Sequence, residues 1–230
     1  MNTTICCLLY GDYPELAERC LKPISELHKL GADIRIGCNE ISTKTFELVM
    51  DMFKVDENLL VVSNDPQIYK YPMMHKLFNI KELKSDYVMW FDDDSYIEDN
   101  PVEWLESVES FIKTNNADMI GSIYFMPTLG KQTEWRRLHC SWFKPEKVTN
   151  KTLFATGGWW AAKSSLIKKY DWPHESLNHR GGDVLLGELI KHEGLKLVKF
   201  NKGVRINADE NGKESASKRR GYDEPPIGSK

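Results

Sequence analysis

Tyr87-Val88-Met89-Trp90-Phe91-Asp92-Asp93-Asp94 is an apolar, β-prone run stopped abruptly by three carboxylates, with the polar stretch Ser95 to Asn100 behind it. An unbroken run of this kind fits a central strand covered on both faces. Acids at its end place that end at a cleft. Neighbouring carboxylates repel one another, which raises one or more of their pKa values unless positive charge lies between them. A divalent cation taking oxygen ligands removes the repulsion. The run therefore predicts a strand tip suited to a metal ion and a phosphate.

Working outward, strand-like and helical stretches alternate. Thr3 to Tyr10 reads as a strand ending at Gly11-Asp12-Tyr13-Pro14. Leu16, Cys20, Ile24 and Leu27 then share one face of a helix that Pro14 starts and that runs to about Leu30. Ala32 to Cys38 and Asn58 to Ser63 read as strands, Thr43 to Phe53 and Met73 to Leu83 as helices. Beyond the acids, Pro101 to Lys113 reads as a helix and Met119 to Phe125 as a strand, while Thr128 to Thr149 is irregular. A short run, Thr152 to Thr156, is followed by Gly157-Gly158-Trp159-Trp160 and a helix to Tyr170. Gly181-Gly182-Asp183 opens an amphipathic helix to about His192, and Leu195 to Phe200 reads as a last strand. The expected fold is α/β, a single Rossmann-like domain over residues 1–206 with a mostly parallel central sheet and helices on both faces. A polar, basic tail, 207–230, follows. In such sheets ligands bind outside the carboxyl ends of the strands, where Tyr10, Gly11, Asp12, Asp65 and the three aspartates would lie.

Composition narrows the classes. A chain of 230 residues, 41% hydrophobic and 11% aromatic, can build a sizeable core. Its net charge of −3 supplies no global field for nucleic acid or an anionic membrane. Five cysteines show no CxxC spacing and an odd count, which fits a reducing cytoplasm better than a disulfide framework. Ile5 to Tyr10 is too short for a signal core, and no stretch approaches a membrane span, so no integral membrane segment is expected.

The acid-tipped strand at 87–94, followed about ninety residues later by Gly181-Gly182-Asp183 heading a helix, resembles nucleotide-sugar glycosyltransferases of the GT-A fold. The resemblance covers the order of elements from Thr3 to Phe200. It implies a nucleotide-sugar-binding half at 1–100 and an acceptor half at 101–206. It also implies a DxD motif at Asp92 and Asp94 that holds Mn2+ or Mg2+ on the donor diphosphate, with Asp94 the principal ligand and Asp92 also able to touch ribose. Asp183 takes the position of the base in inverting members. The donor would be a nucleotide sugar, most simply a UDP-sugar. The acceptor would be a saccharide, a glycolipid, or a hydroxymethylated DNA base of the kind phage enzymes use. Members of the family often add a late histidine or acid as a further ligand. No histidine follows His192, so Asn207 or Asp209 is the candidate.

Several of these residues have plainer readings. Asp183 is either a base or a helix cap, and Glu188 on the same helix is a competing base. Trp159 and Trp160, adjacent on a strand, point to opposite faces; one is core, and the other is available to stack on an acceptor ring. Lys76 either approaches the diphosphate or is solvated, and Asp93, in the middle of the triplet, is a further candidate for binding the donor. Arg219 and Arg220 lie in a tail with Lys213, Lys218 and Glu214, which is either a frayed end or a flap forking onto the diphosphate. Nucleotidyl transfer and a non-catalytic sugar- or calcium-binding module are the other function classes; Tyr10-Gly11-Asp12-Tyr13 makes a poor phosphate loop for the former.

Overall fold

The computed structural model describes residues 2–126, 140–144, 151–170, 172–173, 177–178 and 181–206. In chain order these form β1 (Thr3–Gly11), α1 (Pro14–Lys29), β2 (Asp33–Ile41), α2 (Thr43–Met52), β3 (Leu59–Asn64), α3 (Lys70–Asn79), β4 (Tyr87–Asp92), β5 (Tyr96–Ile97), α4 (Pro101–Asn115), β6 (Met119–Met126), β7 (Thr152–Lys163), α5 (Ser164–Tyr170), α6 (Gly182–His192), β8 (Leu197–Lys199) and β9 (Val204–Arg205). Seven strands make one sheet in the order β3-β2-β1-β4-β7-β6-β8. Pairing is parallel from β3 to β4 and between β6 and β8, and antiparallel where β7 meets β4 and β6.

Alternation along β4 divides its side chains between two cores. Met89 and Phe91 join Trp159 and Trp104 on one face; Val88 and Trp90 join Trp160, Phe78 and Leu189 on the other. Trp90 lies opposite Trp160 and Phe91 opposite Trp159. Burying a tryptophan removes roughly 200 Å² from water, an upper estimate of ~5 kcal/mol by area. Both Trp159 and Trp160 are spent in these cores, 0% and 1% exposed, so neither offers a ring to an acceptor, which corrects their assignment as acceptor contacts.

Chain order reverses at β1: the chain runs out through β2 and β3, then returns to place β4 on β1's other side. Such a switch point splays the connections apart and opens a crevice at the carboxyl ends of the two strands. Leu8 of β1 is level with Asp92 of β4, so Tyr10 and Gly11 rise beside the aspartates.

Two elements differ from the sequence reading in ways that shape this crevice. α3 begins at Lys70, three residues before the expected start, because Pro72 falls in the first turn, where a missing N–H costs no helix bond. β7 runs unbroken for 12 residues through Gly157 and Gly158. A two-stranded ribbon, β5 with β9, is too short to leave a sequence pattern; it brings Val204–Arg205 against the residues just after Asp94.

Candidate active site

α3 carries two of the site's side chains at its first positions, and both of its ends are held. At the carboxyl end, fully buried Arg35 donates to the carbonyls of Leu77 (2.6 Å), Lys81 (2.7 Å) and Glu82 (2.9 Å), and pairs with Asp33 at 3.2 Å. A guanidinium suits this place because the orphan carbonyls of a helix end carry partial negative charge. At the amino end, Tyr69 has φ 66° and ψ 174°, a conformation costly for a residue with a side chain. Buried Asn39 holds it there, donating to the Tyr69 carbonyl at 3.2 Å and accepting from the Ile68 N–H at 2.9 Å. Strain of this kind persists only where the surroundings enforce it. Here it delivers Lys70 to the tip of β4.

Lys70 is the cation that the sequence reading missed. Its Nζ donates to Asp92 Oδ2 at 2.5 Å and to the Gly157 carbonyl at 2.8 Å, and sits 5.9 Å from the centre of the Trp90 ring. The side chains of the Lys70–Asp92 pair are only 7% and 14% exposed. Trp90, two residues before Asp92 and on the same face of the strand, donates Nε1–H to Asp92 Oδ1 at 2.9 Å. Both carboxylate oxygens of Asp92 are thus engaged.

Asp183 approaches from the other side, and the glycines before it explain how. Gly181 is the N-cap of α6 at φ 80°, a left-handed conformation that favours glycine. A side chain on Gly182 would collide with the Tyr71 ring, at 2.3 Å from its Cζ. The Tyr71 hydroxyl accepts the Asp183 backbone N–H at 3.0 Å, and Trp172 Nε1 donates to the Gly182 carbonyl at 3.1 Å. Together these contacts fix the head of α6 against the start of α3. The Asp183 carboxyl accepts from the Val184 N–H at 2.9 Å. Burial raises its pKa, while the Lys70 ammonium pulls it down and the Asp92 carboxylate pushes it up. Burial and the Asp183 charge also push the Tyr71 hydroxyl well above its usual value. Its proton therefore stays in place.

The other predicted site residues divide into three groups. Asp93 and Asp94 are each 2% exposed and turn away from Lys70: the Tyr10 N–H donates to Asp93 Oδ2 at 3.4 Å, and Ser95 Oγ donates to Asp94 Oδ1 at 3.4 Å. Tyr10 and Gly11 therefore do border the acids, with Asp12 exposed beyond them. Asp65 and Lys76 do not join this cluster: Asp65 is exposed on the loop after β3, and Lys76, also exposed, donates to Asn64 at 2.7 Å. Glu188 is 0% exposed and faces His192 Nδ1 at 3.6 Å and Lys191 Nζ at 3.9 Å, which sets it in the core under α6. Asn207, Asp209, Arg219 and Arg220 lie outside the described residues.

Among the described residues no three His, Cys, Asp or Glu side chains converge on one point that would hold an ion. Asp92 is already paired with Lys70 and Trp90. The remaining donors, Asp94 with Asp93, still suit Mg2+ or Mn2+, because such ions take one or two carboxylates and complete their shell with water and substrate phosphate oxygens.

No protein-family profile matches the chain, and no curated protein sequence matches it. Solved structures do. The mannosyltransferase PcManGT from Pyrobaculum calidifontis, in complex with GDP-Man and Mn2+, superposes with a TM-score of 0.58 at 13% identity over 86% of this chain and 54% of its own. TarS 1-349 from S. aureus superposes with a TM-score of 0.55 at 13% identity, over 88% of this chain and 58% of its own. The same protein in complex with UDP-GlcNAc gives 0.54 at 14% identity, over 88% and 56%. The chain spans little more than half the length of these proteins, and at such identities the likeness is one of fold: a single α/β domain of the GT-A type found in nucleotide-sugar glycosyltransferases.

Proposed function

We propose that the protein is a divalent-metal-dependent glycosyltransferase that moves a sugar from a nucleotide-sugar donor to an acceptor hydroxyl with inversion. The observation that carries this reading is the approach of Asp183, at the head of α6, to the acid-tipped end of β4, where buried Lys70 pairs with Asp92 and Asp183 lies across the space beside Gly157 in the switch-point crevice. The likeness in fold to proteins holding GDP-Man with Mn2+ and UDP-GlcNAc supports the donor class.

In this reading the nucleotide lies across the carboxyl ends of β1 and β4, near Tyr10, Gly11 and Asp12, with its diphosphate toward Asp93 and Asp94. Asp94, assisted by Asp93 and by Asp209 from the tail, would hold the ion, which when bound would supply positive charge against the departing diphosphate. Asp183 accepts the acceptor's proton as the acceptor oxygen bonds to the anomeric carbon. The carbon–oxygen bond to the diphosphate breaks in the same displacement, and its electron pair leaves with the nucleoside diphosphate. Asp183 is suited to this because its raised pKa makes it a stronger base than an exposed aspartate. Lys70 still holds that rise in check. Arg219 and Arg220 of the tail are proposed as the planar partners of the diphosphate. The acceptor is proposed to be a saccharide, a glycolipid or a hydroxymethylated DNA base.

The test is a panel of nucleotide sugars with Mn2+, assayed for what is released. A glycosyltransferase frees nucleoside diphosphate, slowly to water and faster with its acceptor. A nucleotidyltransferase frees no nucleoside diphosphate, and a binding module turns nothing over.

A further inference from the structure

One feature of the site goes beyond donor and metal. A methyl group placed on Gly157 would lie 2.9 Å from Lys70 Nζ and 3.9 Å from Asp183 Oδ2. The ammonium and the carboxylate thus flank the space that this glycine leaves empty. On its other side the same ammonium is bonded to Asp92. One cation, bonded to a carboxylate on β4, therefore also faces a carboxylate on α6 across that space, and is itself supplied by a third element, α3. We propose that Lys70 is a positioning residue that couples Asp92 to Asp183, so that the first aspartate of the triplet tunes the basicity of the acid on α6.

Geometry and chemistry agree on this. Asp92 uses one oxygen on Lys70 and the other on the Trp90 Nε1–H. Lysine is a point charge with three donors, and two of them are placed, on Asp92 and on the Gly157 carbonyl. The third is available to the space beside Asp183. The groups that face Asp183 are Lys70 and Tyr71 from α3 and Asp92 from β4. Of these only Lys70 favours the carboxylate by charge, and Asp92 opposes it. The tie predicts two substitutions of opposite sign. Lys70→Met removes the stabilising cation and raises the protonation midpoint of Asp183. Asp92→Asn removes a repelling charge, leaves the ammonium to serve Asp183 alone, and lowers that midpoint.

The inference deepens the proposed transferase function, but its primary test does not depend on turnover. The protein is labelled with aspartate carrying carboxyl carbon-13, the Asp183 resonance is identified by its loss in Asp183→Asn, and its shift is followed against pH in wild type, Lys70→Met and Asp92→Asn. The expected result is an Asp183 midpoint above wild type in Lys70→Met and below it in Asp92→Asn. An unchanged midpoint in both folded variants, or movement of both in one direction, overturns the tie. If Lys70→Met does not fold, Asp92→Asn decides alone: a lower midpoint supports the proposal, and an equal or higher one refutes it. With UDP-GlcNAc or GDP-mannose as donor, the acid limb of turnover should move with the Asp183 midpoint. Shifted midpoints without turnover on any nucleotide sugar would sustain the tie and count against the transferase reading instead.

Discussion

Two buried cations stand at opposite ends of α3, and they are surrounded very differently. Arg35, 0% exposed, meets backbone carbonyls in and beyond the last turn and one carboxylate, Asp33, which Lys81 shares at 3.2 Å. Lys70, 6% exposed, meets one carbonyl and the Asp92 carboxylate, and faces the Asp183 carboxylate across the space beside Gly157. The first arrangement satisfies every group around it, and its partners are mostly main chain that cannot change charge. The second leaves two acids competing for one ammonium at the open end of the sheet. A charge shortfall of this kind is unfavourable for folding and useful for chemistry, because the acid that receives less of the cation is the better base. The helix is locked at the amino ends of the strands and poised at the carboxyl ends.

The largest expected effect breaks the locked end. Arg35→Met leaves several buried carbonyls without a donor and should cost about 3 kcal/mol or more of stability, read as a large fall in thermal midpoint. Lys70→Met should cost less, because a single carbonyl, that of Gly157, loses its donor and Asp92 keeps the Trp90 N–H. Equal losses in the two variants would remove the contrast.

Next is the poised end. Asp183→Asn should lower transfer by at least about a hundredfold while nucleotide binding survives, as expected for a proton acceptor used in the transition state. It should also stabilise the fold at neutral pH. A carboxyl whose folded pKa is raised favours folding fully below its unfolded value, 3.8, and loses that contribution as pH rises through the folded value. Asparagine has no charge to bury. Its thermal advantage should therefore be present at pH 7 and shrink as pH falls toward 3.8. A destabilised but active variant would make Asp183 a structural residue of the helix start.

A smaller effect is expected from Gly157→Ala. Its methyl would press on Lys70 Nζ at 2.9 Å, and a lysine end can yield by a few tenths of an ångström. Turnover should fall by roughly tenfold, the scale of about 1.4 kcal/mol, with little change in thermal midpoint. Full activity would mean that the ammonium's place beside Asp183 is not critical.

Much of this molecule is legible in its sequence, and the illegible parts share a cause. The acid-tipped strand, the alternation of elements and the glycines before Asp183 announce themselves because each is a local pattern: an apolar run, a helical period, a turn that only glycine makes. Lys70 does not. Its neighbour Pro72 masks the helix start, and its significance lies in Asp92, 22 positions away, and Gly157, 87 positions away. Lys76 looked equivalent on the same helix, yet its ammonium goes to Asn64. The two tryptophans misled for a related reason. Adjacency predicts opposite faces, but only the sheet order reveals that both faces of β7 are covered.

The account rests most heavily on a nucleotide diphosphate and a metal ion meeting at Asp94. Calorimetric titration of UDP-GlcNAc, GDP-mannose and UDP-glucose into wild type and Asp94→Asn, with and without Mn2+, tests this directly. The expected result is binding of at least one donor by wild type that needs Mn2+ and weakens by about tenfold or more in Asp94→Asn, a loss of roughly 1.4 kcal/mol. Binding that is the same with and without Mn2+, or the same in wild type and Asp94→Asn, would contradict the account.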